Sequence, residues 1–175
     1  TLSYTANITR QYSQIVENTK LTILDTRKTL PGMRQAQKYA VTVGGGKNHR
    51  MGLYDAFLIK ENHIMAAGSI ANAVSMAKTI APGKTIEVET ENLEEVAMAV
   101  DAGADIIMLD NFSYEDMTTA VSRFQGQVKF EASGNMTKEQ LLKVAETGVD
   151  FVSIGALTKH VQAIDLSLRV SQEKV

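Results

Sequence analysis

Eleven residues, TVGGGKNHRMG (42–52), place three glycines before Lys47, Asn48, His49 and Arg50. A nucleotide-phosphate loop needs G-x-x-x-x-G-K-[ST], so that backbone N–H groups wrap the phosphates and a hydroxyl holds magnesium. Here Asn48 follows Gly46-Lys47 and Val41 stands at the first position, so both ends of that motif fail. What remains is a donor-rich loop whose lysine, histidine and arginine suit an anion. A second basic stretch, LDTRKTLPGMR (24–34), sets Arg27 and Lys28 directly after an apolar run, with Pro31 suited to start the next helix. Lys60 closes another such run, and Glu89 and Asp110 close two more. If these ends share one rim, cations face carboxylates across one opening. That polarity fits an anionic substrate gripped by guanidinium groups beside a Mg²⁺ ion held by one or two carboxylates and by substrate phosphates.

The elements that must position these groups alternate. Apolar runs at 21–25, 55–60, 85–89, 105–110, 128–133 and 149–155 are followed by amphipathic stretches at 33–40, 69–80, 92–102, 113–124 and 137–147. A basic connection and IDLSLRV (164–170) close the series. Short Ile- and Val-rich strands with glycine-ended helices between them predict parallel βαβ units. Asp25, Lys60, Glu89, Asp110, Ser133 and Gly155 all end apolar runs, and catalytic groups gather at that edge in barrels. The expectation is an open or incomplete parallel α/β barrel of TIM-like type over 21–175, since a full eightfold barrel takes about 250 residues. Residues 1–20 read as a helix, with Tyr4, Ile8, Tyr12 and Ile15 on one face and no capping residue ahead, the end of a linker from an upstream domain.

Bulk composition narrows the partners. The 175 residues carry 18 basic and 20 acidic side chains, so no general field draws nucleic acid, and an anion site must be local. No apolar run approaches the ~20 residues of a membrane span, and the start lacks a signal-peptide pattern. The absence of cysteine excludes disulfides, a thiolate nucleophile and cysteine zinc sites, and fits a cytoplasmic setting.

Each feature also has a plainer reading. Basic loops are often only solvated, glycines 44–46 could serve flexibility alone, and one of Glu87 and Glu89, on a shared strand face, could merely pair with a lysine. His63 and His160 read as structural. Met33, Met51, Met65, Met76, Met98, Met108 and Met117 read as core filling. EASGNMT (131–137) and VSIGALT (152–158) offer phosphate cradles through Ser133, Gly134, Asn135, Ser153 and Gly155, although Ser133 and Thr137 also stand where helix caps are expected.

LDTRKTLPGMR, GGGKNHRMGLYDAFLIKENH, EVETEN, DIIMLDN, EASGN and SIGALT, in this order, resemble the nicotinate-nucleotide pyrophosphorylase family, also called quinolinate phosphoribosyltransferases. The resemblance runs from about residue 3 to residue 170. It implies an open α/β barrel whose usual N-terminal domain is absent from this chain. It also implies conversion of quinolinate and phosphoribosyl pyrophosphate (PRPP) to nicotinate mononucleotide, pyrophosphate and CO₂ with Mg²⁺, a step of NAD biosynthesis. Carried over by position, quinolinate would meet Arg27, His49, Arg50 and Lys60. PRPP would meet Lys28, Glu89, Asp110, Ser133, Gly134, Asn135, Ser153 and Gly155. Catalysis would fall to Lys60, Glu89 and Asp110, and the metal to Glu89 and Asp110. The family pairs subunits head to tail, implying a homodimer, and draws an arginine from a neighbour's N-terminal domain. LTKHVQAIDLSL departs from the family's usual threonine-histidine-serine order, so His160 receives no role. Other readings held open are a non-catalytic barrel related to metal-oxyanion transport, and an aldolase using Lys60 as a Schiff base.

Overall fold

A computed structural model describes residues 1–170; the last five residues of the predicted 21–175 domain lie outside that range. Six parallel strands form one sheet in the order β1-β6-β5-β4-β3-β2. They are β1 (Thr22–Leu24), β2 (Phe57–Ile59), β3 (Ile86–Thr90), β4 (Ile106–Asp110), β5 (Lys129–Ser133) and β6 (Phe151–Ser153). Helices α1 (Leu2–Ile15), α2 (Arg34–Val43), α3 (Glu61–Ala67), α4 (Ile70–Ile80), α5 (Leu93–Asp101), α6 (Tyr114–Arg123), α7 (Leu141–Glu146) and α8 (Ala156–Lys159) complete it. This is the expected TIM-like alternation in a parallel sheet.

The apolar runs become strands because their alternate residues bury on the helix side. Val88, Ile107, Leu109 and Ala132 are wholly buried there against Val74, Val96, Ala120 and Val144 of the helical layer. Their neighbours along each strand point the other way. Register therefore fixes the site: Glu89, Met108 and Glu131 stand side by side, and Asp110 pairs with Ser133 two residues further along.

The segment before β2 holds a hidden strand. Lys47 bridges Leu24 in parallel: its N–H donates to the Ile23 carbonyl at 2.8 Å, and its own carbonyl accepts from the Asp25 N–H at 3.2 Å. A one-residue strand thus flanks β1 on the side away from β6, which puts His49 and Arg50 at the same rim as the other strand ends. Glycines 44–46 are here for close packing. A Cβ on Gly44 would lie 2.5 Å from the Ala6 carbonyl oxygen and 2.6 Å from the Thr9 Cβ, so only glycine lets α1 approach.

Several expectations need correction. Pro31 sits in a turn with Gly32 and α2 starts only at Arg34, because Gly32 takes a left-handed φ of 73°. The stretch before 69–80 contains an extra helix, α3, and the basic connection contains α8. Residues 161–170 carry no regular structure; Leu166, Leu168 and Val170 are exposed, since a strand needs a ladder partner and none is present among the described residues. Of the methionines, Met108 and Met117 are buried, whereas Met65, Met76 and Met98 lie on the outer faces of α3, α4 and α5.

Candidate active site

The carboxyl ends of the strands open on a cavity of about 300 Å³ lined by Arg27, Lys28, His49, Arg50, Lys60, Glu89, Glu131, Ser133 and Ser153, among others. A second cleft of about 290 Å³ is lined by Asp110, Asn111, Gly134, Asn135, Gly155 and Lys159. The two share Thr26, Lys28, Ser133 and Ser153. Every residue that the family resemblance assigns to quinolinate, PRPP, catalysis or metal lines one chamber or the other. The first is rich in cations and the second in hydroxyls, amides and backbone.

Arg27 and Lys28 follow β1 on a loop braced from beneath. Buried Gln37 accepts from the Leu30 N–H at 2.8 Å and donates to the Thr158 carbonyl at 2.9 Å, while the Thr158 hydroxyl donates to the Lys28 carbonyl at 2.8 Å. Arg34 donates to the Arg27 carbonyl at 3.2 Å. The Nε of Arg27 is buried without a partner, so part of its guanidinium is left to meet a ligand. Arg50 is lowered from the ordinary guanidinium value by burial and then by the adjacent Arg27 charge. Two cations forced together favour any anion that neutralises both.

Lys60 follows β2 as the N-cap of α3, and its ammonium contacts the Glu89 carboxylate on β3. Glu89 is therefore not a free metal carboxylate. Asp110, half-buried at the end of β4, accepts from the Asn111 side chain at 3.0 Å and lines the second cleft. Mg²⁺ takes oxygen ligands and retains waters. Asp110 fits such an ion, with Glu89 joining by sharing its charge with Lys60.

His49 behaves differently from a simple carboxylate-binding histidine. Its Nδ1 accepts from the Arg50 N–H at 2.8 Å, and its Nε2 lies 2.8 Å from Glu87 and 3.4 Å from Glu131, both nearly wholly buried. Glu87 therefore pairs with a histidine, not with a lysine. Each glutamate keeps one buried oxygen without a partner. Burial would lower the imidazole, but hydrogen bonds to Glu131 and Glu87 outweigh it and push it up to about 10. Burial and the Glu131 charge push Glu87 up to about 7. The three ligand atoms lie within 4.8 Å of one another, a spacing that could take a metal ion. The Arg50 amide argues otherwise: it occupies Nδ1, so the neutral ring carries its proton on Nε2, the atom a metal would need.

In the second cleft Asn111 takes a positive φ of 56° and its N–H donates to the Ser133 carbonyl at 3.0 Å. Gly134, at φ 143°, has no room for a side chain, because a Cβ would come within 2.9 Å of the Asn111 side chain. Gly134 and Asn135 line the cleft at this corner. Thr137 stands before the 3-10 turn Lys138–Gln140 and its N–H donates to Gln140 at 2.9 Å, whereas Ser133 lines the cavities. His63 Nδ1 accepts from the Lys60 N–H at 3.0 Å, and His160 follows α8 as its C-cap. Glu131 and Lys159 also line the chambers and were not singled out from the sequence. Glu131 stands two residues before Ser133 on one strand face, a signal that was available.

The quinolinate phosphoribosyl transferase C-terminal domain model matches residues 5–169 of the chain. The chain belongs to that family. A probable nicotinate-nucleotide pyrophosphorylase of Synechocystis is 46% identical over 97% of this chain, and one of Bacillus subtilis is 43% identical over 97%. The chain spans 59% of each of these relatives. The solved nicotinate-nucleotide pyrophosphorylase from Francisella tularensis is 55% identical, superposes with a TM-score of 0.92 and covers 95% of this chain, which covers 59% of it. The described residues therefore correspond to the C-terminal domain of this family. Among the described residues no helix is long and apolar enough to cross a membrane.

Proposed function

We propose that this barrel is the catalytic domain of an enzyme making nicotinate mononucleotide, pyrophosphate and CO₂ from quinolinate and PRPP. One observation carries the reading: Arg27, Lys28, His49, Arg50 and Lys60 crowd one chamber with Glu89, and that chamber opens into a polar cleft. The names of the relatives support it over a metal-oxyanion carrier. Lys60 engaged by Glu89 speaks against a neutral Schiff-base lysine.

Arg27, Arg50 and Lys60 would hold the two quinolinate carboxylates and aim the ring nitrogen at the anomeric carbon. Ser133, Gly134, Asn135, Ser153 and Gly155 would cradle the 5′-phosphate. Glu89 and Asp110 would lie against the ribose as it gains positive charge, and Lys28 would meet the departing pyrophosphate. Asp110 and Glu89 would hold Mg²⁺, which when bound neutralises charge on the pyrophosphate. After CO₂ leaves, the electron pair on the ring carbon is stabilised by the same cations until a proton arrives. A homodimer belongs to this reading through the family resemblance, and a cytoplasmic setting through the cysteine-free composition.

The test mixes the full-length enzyme with Mg²⁺, PRPP and quinolinate and follows CO₂ and nicotinate mononucleotide. Equal turnover of nicotinate would overturn the substrate assignment. Calorimetric titration with quinolinate and PRPP separates an enzyme from a carrier of some other oxyanion, which should ignore both.

A further inference from the structure

Asp25 directly follows β1, yet it lines neither chamber. The alternation that sends Thr26 into the cavity turns Asp25 outward, beneath α2, where it is wholly buried with Lys38. Its Oδ1 accepts from the Lys38 ammonium and from the His49 N–H at 2.9 Å, and its Oδ2 accepts from the Asn48 side chain at 2.6 Å. Lys38 also donates to the His49 carbonyl at 3.0 Å, and Asn48 donates to the Lys38 carbonyl at 2.8 Å. Both backbone groups of His49 are thus bound by one buried ion pair.

The surroundings make this pair the main fixture of the segment. Lys47 is attached to β1 by a single bridge, and the chain has no regular structure from Asn48 until β2 begins at Phe57. The turn at 51–55 is held by Asp55, which accepts from the Met51 and Gly52 N–H groups at 2.6 and 3.0 Å, and is spanned by Arg50, which donates to the Ala56 carbonyl at 3.5 Å. Burial raises Asp25 and lowers Lys38 from their ordinary values, opposed by the hydrogen bond and charge each gives the other. A buried ion pair contributes little net stability over an apolar pair of the same size. Its geometry, however, dictates where the next two side chains go.

We infer that Asp25 and Lys38 are positioning residues of the anion chamber: through Asn48 and both backbone groups of His49 they set where His49 and Arg50 stand. This rests on reading that chamber as the quinolinate pocket. Neither residue touches the ligand, so neither is catalytic. Displacing a clamping guanidinium by about 1 Å is enough to cost about a hundredfold in a positioned reaction.

The experiment compares wild type with Asp25→Asn/Lys38→Met, which removes both charges while keeping volume, and with Asn48→Ala, a change at an exposed residue. Amide hydrogen exchange at residues 47–50 and calorimetric titration of this chain with quinolinate and with ribose 5-phosphate are the readouts. The expected result is faster exchange at His49 and Arg50, quinolinate affinity weakened by about tenfold or more, and ribose 5-phosphate affinity unchanged. Equal weakening toward both ligands reveals a merely structural role and overturns the proposal, as does unchanged exchange in both variants. Wild type that ignores quinolinate defeats the functional reading instead. In that case the exchange at His49 and Arg50 alone decides the positioning role.

Discussion

Lys60 and Glu89 meet across neighbouring strands, ammonium on carboxylate, at the point where the cationic side of the cavity joins the acidic side. Lys60 remains 40% exposed and Glu89 14%, so water screens the pair and its loss costs stability only about 1 kcal/mol or less. Its loss should cost chemistry far more. Lys60→Ala and Glu89→Gln in the full-length enzyme are expected to lower turnover by about a hundredfold or more while the melting temperature barely moves. Steady-state rates beside a thermal melt decide this, and a loss of activity that tracks unfolding would refute it.

The Asp25–Lys38 pair should behave in the opposite sense. Asp25→Asn alone leaves a buried ammonium without its counter-charge and is expected to cost about 3–5 kcal/mol. Adding Lys38→Met should recover most of it. Denaturant unfolding of the single and double variants measures the difference, and a double variant no more stable than the single would contradict a charge-based cause.

The His49–Glu87–Glu131 cluster binds more protons in the folded chain than in the unfolded one. His49 is raised from 6.5 to about 10 and Glu87 from 4.5 to about 7. Groups raised on folding stabilise fully below their unfolded values, and the gain fades as pH climbs through the folded ones. Stability from this cluster should therefore decline from about pH 4.5 upward, with the histidine's share leaving between 6.5 and 10. His49→Gln should flatten that upper window. Unfolding free energies measured across the range test it; a slope unchanged by the substitution would be decisive against it.

Gly44→Ala forces a methyl against the Ala6 carbonyl and Thr9. Overpacking of this kind costs about 1–3 kcal/mol, which in a chain of this size lowers the melting temperature by about 2–4 °C for each kcal/mol. Gly32→Ala, with open space around it, tests the contrast. It meets only backbone strain and should be the milder of the two.

Strand ends were the readable part of the site. A charged residue closing an apolar run is conspicuous, and period-2 alternation brings Lys60, Glu89, Asp110 and Ser133 to one rim without further information. The hidden strand was not readable, because a single bridging residue such as Lys47 leaves no periodicity. That is why the glycines before it looked like flexibility when they are a packing surface for α1. Lys38 and Gln37 were equally silent: a polar pair inside a helix normally faces solvent, and only the tertiary contacts bring both inside. Exposed Met65, Met76 and Met98 show the reverse error, since composition alone cannot tell which face of an outer helix looks outward.

Between Lys47 and β2 no ladder is formed among the described residues, and the His49 side chain crosses that gap to Glu87 on β3. A guest lying against Arg50 and Lys60 at once would span that unstitched seam and act as a rivet across it. Occupancy would then stiffen the wall as well as fill the hollow.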